Sequence, residues 1–259
     1  MLVLAGHANF RYSGLPMSAK RALFLFGLFA TAPIYSQQSL FNVPSSEITQ
    51  PAKSFFEEQV SYGAAIIQLN STYCYGVGDG MEVGLDLFNL NLNTAPAGAF
   101  FLVNSTDPSQ TLSPILLATF QKGFELHEKF KLGLGAQIGT NLSGALSDLH
   151  PLVFLFANTA THLPNDLARI YLGLFYGNAY YLGSVDMVDF MLGVEIPIFK
   201  ETFHLVADYL HGQHNLGQAV VGFTYFASAT TSLSLGWQIP NPGTPNTLGP
   251  ALELTLLDL

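Results

Sequence analysis

The 259-residue sequence predicts an all-β fold, a transmembrane antiparallel up-and-down β-barrel of about 12 strands. Three observations predict it. Apolar and polar residues alternate with period two over most of the chain from residue 54 onward, as in strands with two different faces. The alternating segments are mostly 9–13 residues long, close to the ~9–11 residues of a tilted membrane-crossing strand rather than the ~5–6 of a globular one. Only 10% of residues are charged, against about 25% in an ordinary soluble domain.

The chain begins with a pattern typical of secreted proteins. Lys20 and Arg21 precede an apolar run over residues 22–32, and a small residue, Ser36, comes before a polar stretch. A retained membrane anchor would need about 20 apolar residues, more than this run supplies. We therefore expect residues 1–36 to be an N-terminal extension and signal peptide, cleaved near Ser36.

Residues 37–53 follow, before the alternation begins. They contain Pro44 and Pro51 and show no strand pattern, so the sequence predicts a periplasmic leader or a short plug. The remaining residues, 54–259, are predicted to form the barrel.

Within the barrel, the segment from Val188 to Ile198 shows the alternation most clearly, with apolar residues at every even position. Turn residues divide the chain into segments of this kind, which predict strands over 54–62, 65–77, 81–92, 113–124, 129–141, 150–161, 168–181, 187–199, 203–211, 217–228, 231–240 and 249–258.

The connections alternate in length. Short turns such as 78–80 are followed by longer loops, of which 93–112 is the longest. An even number of strands with short turns at one end and long loops at the other is typical of bacterial outer-membrane barrels. Localisation in the cell outer membrane, contact with its lipid and insertion by the barrel-assembly machinery are therefore expected.

The polar face of each strand must point inward, because lipid cannot satisfy polar groups. Because alternate residues of a strand share a face, the positions of the polar residues then place seven acids and one lysine inside the barrel. The lumen-facing candidates are Glu82, Asp86, Glu125, Lys131, Asp189, Glu195, His204, Asp208 and Glu253.

Two interpretations of this acidic interior remain open. Carboxylates lining an open pore would favour cations over anions, whereas carboxylates paired with neighbouring side chains would simply fill the lumen. A barrel of about 12 strands lies between the filled barrels of eight and the open barrels of 16. Many inward positions are glycine, for example Gly133, Gly193 and Gly236, which either relieves crowding between strands or keeps a passage open.

One hairpin carries a resemblance to a known family. Residues 75–84 read Tyr-Gly-Val-Gly-Asp-Gly-Met-Glu-Val-Gly, a strand, a tight turn and a strand. This hairpin resembles one found in small Gram-negative outer-membrane barrels, and it is most similar to that of the phenol meta-pathway degradation-type transporter-like barrels. The resemblance implies a channel or transporter for small molecules and transfers no catalytic residue.

Other kinds of site are weakly supported. No His-x-Ser pair stands on one strand face, so the sequence predicts no enzyme. His211 and His214 share a predicted external loop but have no third ligand, and Cys74 is the only cysteine, so no metal and no cofactor are expected. Nine Lys and Arg residues are too few for a nucleic-acid partner.

The sequence thus favours a porin-like outer-membrane channel that passes a small-molecule solute. A structural or adhesive barrel with a plugged lumen, acting through its external loops, is the alternative. A soluble secreted β-protein is disfavoured by strand length and by the shortage of charge.

Overall fold

The computed structural model describes residues 39–94, 100–142, 145–183, 186–199 and 202–259. The predicted extension and signal peptide, residues 1–36, lie outside the described residues. The strands are β1 (Ser54–Tyr62), β2 (Ile66–Gly78), β3 (Met81–Thr94), β4 (Phe100–Val103), β5 (Ile115–His127), β6 (Phe130–Asn141), β7 (Pro151–His162), β8 (Arg169–Gly177), β9 (Met187–Phe199), β10 (Phe203–Leu210), β11 (Gln218–Ser228), β12 (Thr231–Pro240) and β13 (Gly249–Leu257).

Twelve of these strands form a closed antiparallel barrel, which confirms the predicted fold class. Neighbours in the chain pair with each other, and β3 pairs directly with β5. The seam between the first and last strands runs from Phe55 opposite Leu257 to Ser61 opposite Ala251. Every barrel strand therefore has two partners, and no edge is left unpaired.

Two local features differ from the predicted elements. The strand β4 pairs only with the upper part of β3, inside the predicted loop 93–112. The strand predicted over 168–181 ends at Gly177, because Asn178 caps a single helical turn, α1 (Ala179–Leu182), by accepting a hydrogen bond from the backbone N–H of Tyr181 (3.2 Å). In the described part of the chain, no helix is both long and apolar enough to cross a membrane.

The two ends of the barrel have different connections. We call the end with the connections 79–80, 128–129, 163–168 and 229–230 the short-turn end, and the opposite end, with the connections 104–114, 211–217 and 241–248, the long-loop end. This asymmetry is typical of outer-membrane barrels, whose short turns face the periplasm.

The outer surface of the barrel is apolar. On β9, Val188, Phe190 and Leu192 are exposed, whereas Met191 and Glu195 between and below them are buried. The same pattern recurs on β12, where Leu233, Leu235, Trp237 and Ile239 point outward. A continuous apolar belt around a closed barrel is stable in lipid and not in water. The chain is an outer-membrane β-barrel.

Because this face of β9 meets lipid, a charge placed on it should have an effect that depends on its depth in the membrane. Leu192→Arg places a cation on the lipid face near the middle of the strand, where its cost in unfolding free energy is expected to be about 2–4 kcal/mol. Val188→Arg, at the long-loop end of the same face, is the matched control and is expected to cost roughly 0–1 kcal/mol. Urea unfolding in lipid vesicles, followed by the fluorescence of Trp237, measures both. Equal costs at the two positions would contradict the placement of β9 in the membrane.

Candidate functional site

The interior of the barrel holds a stretch of chain that belongs to no strand. Residues 39–53, which we call the inner segment, precede β1 and lie against the inward faces of the strands. Ser39 pairs with Pro44, and the backbone N–H of Leu40 donates to the carbonyl of Val43 (3.0 Å), so that the segment bends into a short hairpin. Leu40 and Val43 at the tip of this hairpin are completely buried.

The tip is held by polar side chains of the wall. One carboxylate oxygen of Asp208 accepts hydrogen bonds from the backbone N–H groups of Asn42 (2.5 Å) and Val43 (3.1 Å). Gln59 donates from Nε2 to the carbonyl of Phe41 (2.7 Å). Asp208 lies on β10 and Gln59 on β1, so the tip is fixed from two directions.

The lower part of the segment is held in the same way. Glu82 Oε2 accepts from both the backbone N–H (2.8 Å) and the hydroxyl (2.7 Å) of Thr49. Gln121 donates from Nε2 to the carbonyl of Ser45 (2.7 Å). Asn158 donates to the carbonyl of Pro44. Side chains of the wall thus take the place of a neighbouring strand for this stretch of backbone.

An ion pair fastens the segment near the short-turn end. Lys131 Nζ on β6 lies 2.6 Å from Glu47 Oε2, and both side chains are largely buried. Lys131, a predicted lumen-facing residue, therefore neutralises a carboxylate of the inner segment, and it also lies 4.0 Å from the wall acid Glu125.

Several inward glycines make room for this segment. A Cβ added at Gly193 would lie 2.1 Å from Leu40, and one at Gly236 would lie 2.8 Å from the ring of Phe41. A Cβ at Gly76 would lie 2.1 Å from the carbonyl oxygen of Gln50. The small side chains of the wall are therefore matched to a chain packed against them, which neither interpretation of the glycines had anticipated.

The same contacts explain the hairpin on which the family resemblance rests. Its Gly76 lets the backbone of the inner segment approach β2, and Pro51 forms a parallel bridge with it. Its Glu82 binds Thr49. Two positions of the motif thus serve the inner segment directly.

A buried charged network occupies the wall beside the segment. Glu195 is completely buried on β9, with Arg169 Nη1 at 3.2 Å, His204 Nδ1 at 2.5 Å and the hydroxyl of Tyr171 at 3.3 Å. Glu195 and His204 were predicted from parity to face the lumen, and the structure brings them together. Arg169 was missed, although it lies on the same face of β8 as Tyr171, whose hydroxyl also bonds to Glu195.

Two other predicted acids, Asp86 and Glu253, are buried in the wall. Asp86 accepts from Gln137 Nε2 (2.9 Å). Glu253 accepts from Gln59 (3.4 Å) and from Ser234 (3.4 Å). These carboxylates lie inside the barrel and are held by neutral donors.

The remaining two candidates lie at the barrel ends. Asp189 is near the long-loop end, where its carboxylate lies 2.7 Å from His211 Nδ1. Glu125 is near the short-turn end, and its side chain is 82% exposed. Glu125 nevertheless lines the small cavity at this end together with Glu47 and Lys131, and its Oε1 lies 4.0 Å from Lys131 Nζ, so its side chain is at the mouth of the lumen.

The two histidines of the predicted external loop, His211 and His214, contact residues of the loop and of the adjoining strand. His214 Nε2 lies 2.7 Å from the carbonyl oxygen of His211, and the ring of His211 stacks on Phe190. Burial lowers the pKa of His214, so this side chain is neutral near pH 7. No three His, Cys, Asp or Glu side chains gather as metal ligands within the described ranges.

A cavity of about 930 Å³ lies inside the barrel beside the inner segment, lined on one side by β1–β3 and on the other by residues of β5–β7. It reaches from the long-loop end, where residues 213–216 and 243–247 line it, down to Glu82. A separate cavity of about 210 Å³ lies at the short-turn end, against residues 46–51. The two cavities share no described lining residue, so the inner segment stands between them.

No protein-family model matches the sequence, and no curated protein matches it. Solved structures with a similar fold include NanC porin, at 8% identity over 80% of this chain and 99% of that chain with a TM-score of 0.46. An outer-membrane channel from Pseudomonas putida F1 is 13% identical over 82% of this chain and 97% of that one, with a TM-score of 0.47. The outer membrane phospholipase of Salmonella typhi is 10% identical over 80% of this chain and 92% of that one, with a TM-score of 0.46. At these identities and scores, the likenesses carry no functional argument.

The last of these proteins corrects one expectation. The sequence predicted no enzyme, yet barrels similar to this one include a phospholipase. Catalytic side chains are recognised by their geometry and can come from different strands, so the lack of a His-x-Ser pair on one strand face was not a valid ground for excluding an enzyme.

Proposed function

We propose that this protein is an outer-membrane channel for small molecules whose lumen is closed by the inner segment. The observation that carries the proposal is the position of that segment between two cavities, one of which opens towards the long loops. The segment adds no strand to the barrel. Its residues 51–53 bond to the backbone of Gly76, whereas residues 39–50 are held to the wall by side-chain contacts and can leave the lumen without breaking it.

The charges around the large cavity support a preference for cations and neutral molecules over anions. Glu57, Glu82 and Asp86 line it, and none of its described lining residues is Lys or Arg. Charges in a narrow passage with low-dielectric walls act strongly on a passing ion. Glu195 is not part of this effect, because Arg169 compensates it.

This proposal predicts cation selectivity that depends on the cavity acids. Reversal potentials of the protein in planar bilayers under a KCl gradient should show K⁺ preferred over Cl⁻. The preference should weaken near 1 M salt, where the screening length falls to about 3 Å. The pair Glu57→Gln with Asp86→Asn should reduce it, whereas Glu128→Gln, in the exposed turn between β5 and β6, should leave it unchanged. Anion preference, or no response to the cavity pair, would contradict the proposal.

The alternative of a structural or adhesive barrel with a plugged lumen is favoured by one observation, the dense burial of Leu40, Phe41 and Val43 inside the barrel. The two functions predict different conductance after removal of the inner segment. A channel conducts once the segment is gone, whereas a barrel that acts through its loops has no need of a continuous passage.

A further inference from the structure

The large cavity has two chemically different sides. On β1–β3 the lining includes carboxamides that bond to one another, beside the carboxylates of Glu57, Glu82 and Asp86. Gln68 Nε2 donates to Asn89 Oδ1 (3.0 Å), and Asn70 Nδ2 donates to Gln59 Oε1 (3.3 Å). Asn89 has a positive φ of 56°, and the pairing of β2 with β3 shifts beside it. This irregularity lets neighbouring polar residues of the two strands face the cavity together.

The opposite side is aromatic. Phe154 lies 5.9 Å from Phe156 and 5.4 Å from Tyr181, centroid to centroid, and all three rings line the cavity. The hydroxyl of Tyr181 donates to Gln137 Oε1 (3.2 Å). Gln137 in turn donates to one oxygen of Asp86. The chain of bonds orients one carboxylate oxygen of Asp86, and the Thr72 side chain also bonds to this carboxylate.

Four buried polar atoms at this cavity have no hydrogen-bond partner in good geometry among the described residues, although the Asn42 side chain lies near Asp208 and the Asp86 carboxylate near Thr72. They are Asn42 Nδ2, Asp86 Oδ1, Asn91 Oδ1 and Ser105 Oγ, and all four residues line the cavity. Buried polar groups are nearly always paired, so a cluster of such atoms around one cavity needs an explanation. The set comprises one donor, two acceptors and one hydroxyl that can act as either.

We propose that this cavity binds an uncharged polyhydroxylated solute, a mono- or disaccharide, on its way through the channel. Hydroxyl groups both donate and accept, which suits a wall of carboxamides and the unpaired atoms above. The apolar faces of a sugar ring pack on aromatic rings such as Phe154. The lack of Lys and Arg in the described lining offers nothing to a carboxylate or phosphate group. The volume of about 930 Å³ is within the usual range of small-molecule sites, roughly 300–1,000 Å³.

This inference rests on the proposed channel function, but its test measures binding separately from transport. Isothermal titration of the purified full chain in detergent micelles with glucose and maltose is expected to show saturable binding. Gluconate, the anionic relative of glucose, and cyclohexanol, a ring with a single hydroxyl, should bind at least roughly tenfold more weakly, because a site built for hydroxyl groups leaves its own polar atoms unpaired with them.

Matched variants locate the site. Asn91→Leu combined with Ser105→Ala removes two of the unpaired atoms and should weaken glucose binding by roughly tenfold. Thr255→Val is the control, because Thr255 Oγ1 is also buried without a partner in the described chain but does not line the cavity. It should bind glucose like the parent protein.

The outcomes are distinguishable. No saturable sugar binding, equal binding of gluconate or cyclohexanol, or equal loss in Thr255→Val would overturn the inference. Planar-bilayer conductance of the protein and of the variant that lacks residues 39–50, whose lumen is no longer closed, reports on the channel itself. Conductance without sugar binding would support the channel and contradict the sugar site. Sugar binding without conductance would support the sugar site and contradict the channel.

Discussion

Arg169→Met is expected to lower the free energy of unfolding by about 3–5 kcal/mol, the usual effect of removing one partner from a buried ion pair. Glu195 has no exposed surface, and Arg169 lies 3.2 Å from its carboxylate. Without the guanidinium, the charge of Glu195 remains inside the barrel with only His204 and Tyr171 to stabilise it. Urea unfolding in lipid vesicles, compared with the parent protein, measures the loss.

A double variant separates the ion pair from simple packing. Glu195→Gln in the Arg169→Met background removes the uncompensated charge at nearly constant volume, so it should recover much of the lost stability. If the single and double variants unfold alike, or if Arg169→Met unfolds like the parent, the buried pair does not have the role described.

Deletion of residues 39–50 is expected to raise the single-channel conductance severalfold. The deletion removes the hairpin tip that lies against Gly193 and Gly236 and joins the two cavities into one passage. Planar-bilayer recordings of the deleted and parent proteins give the comparison directly. Heat-modifiable migration on gels checks that the shortened barrel is folded.

A milder variant tests the same point with the whole chain present. Asp208→Asn keeps the shape of the side chain but weakens its bonds to the backbone of Asn42 and Val43, since hydrogen bonds to a charged acceptor are roughly twice as strong as neutral ones. We expect more frequent openings. Unchanged conductance in the folded deletion variant would show that the wall or the long loops, and not the inner segment, limit the passage.

The barrel strands could be predicted closely because their pattern is local. The alternation from Val188 to Ile198 reports directly which side chains meet lipid, and β9 has the predicted bounds. α1 was missed because its start depends on the cap provided by one side chain, Asn178, within a stretch whose composition also suits a strand. β4 was missed because four residues are too few to show an alternation.

The interior was harder to predict, because its contacts join distant parts of the chain. Parity alone indicated that Asp208 faces inward, but its partner Asn42 is 166 residues away in the sequence. No period or motif links two such positions. The sequence therefore could not decide between an open acidic lumen and a filled one, whereas the structure shows Asp208 and Glu82 engaged with the backbone of the inner segment.

The position of the inner segment also constrains the order of assembly. The segment runs directly into β1, whose pairing with β13 forms the seam of the barrel. A hairpin cannot pass through a closed wall. The segment must therefore either be enclosed while β1 pairs with β13 or enter later through an open end of the barrel. In the first case, β1 carries the inner segment into the lumen as it pairs with β13. Asp208 and Glu82 then receive backbone partners at the moment when closure removes them from water.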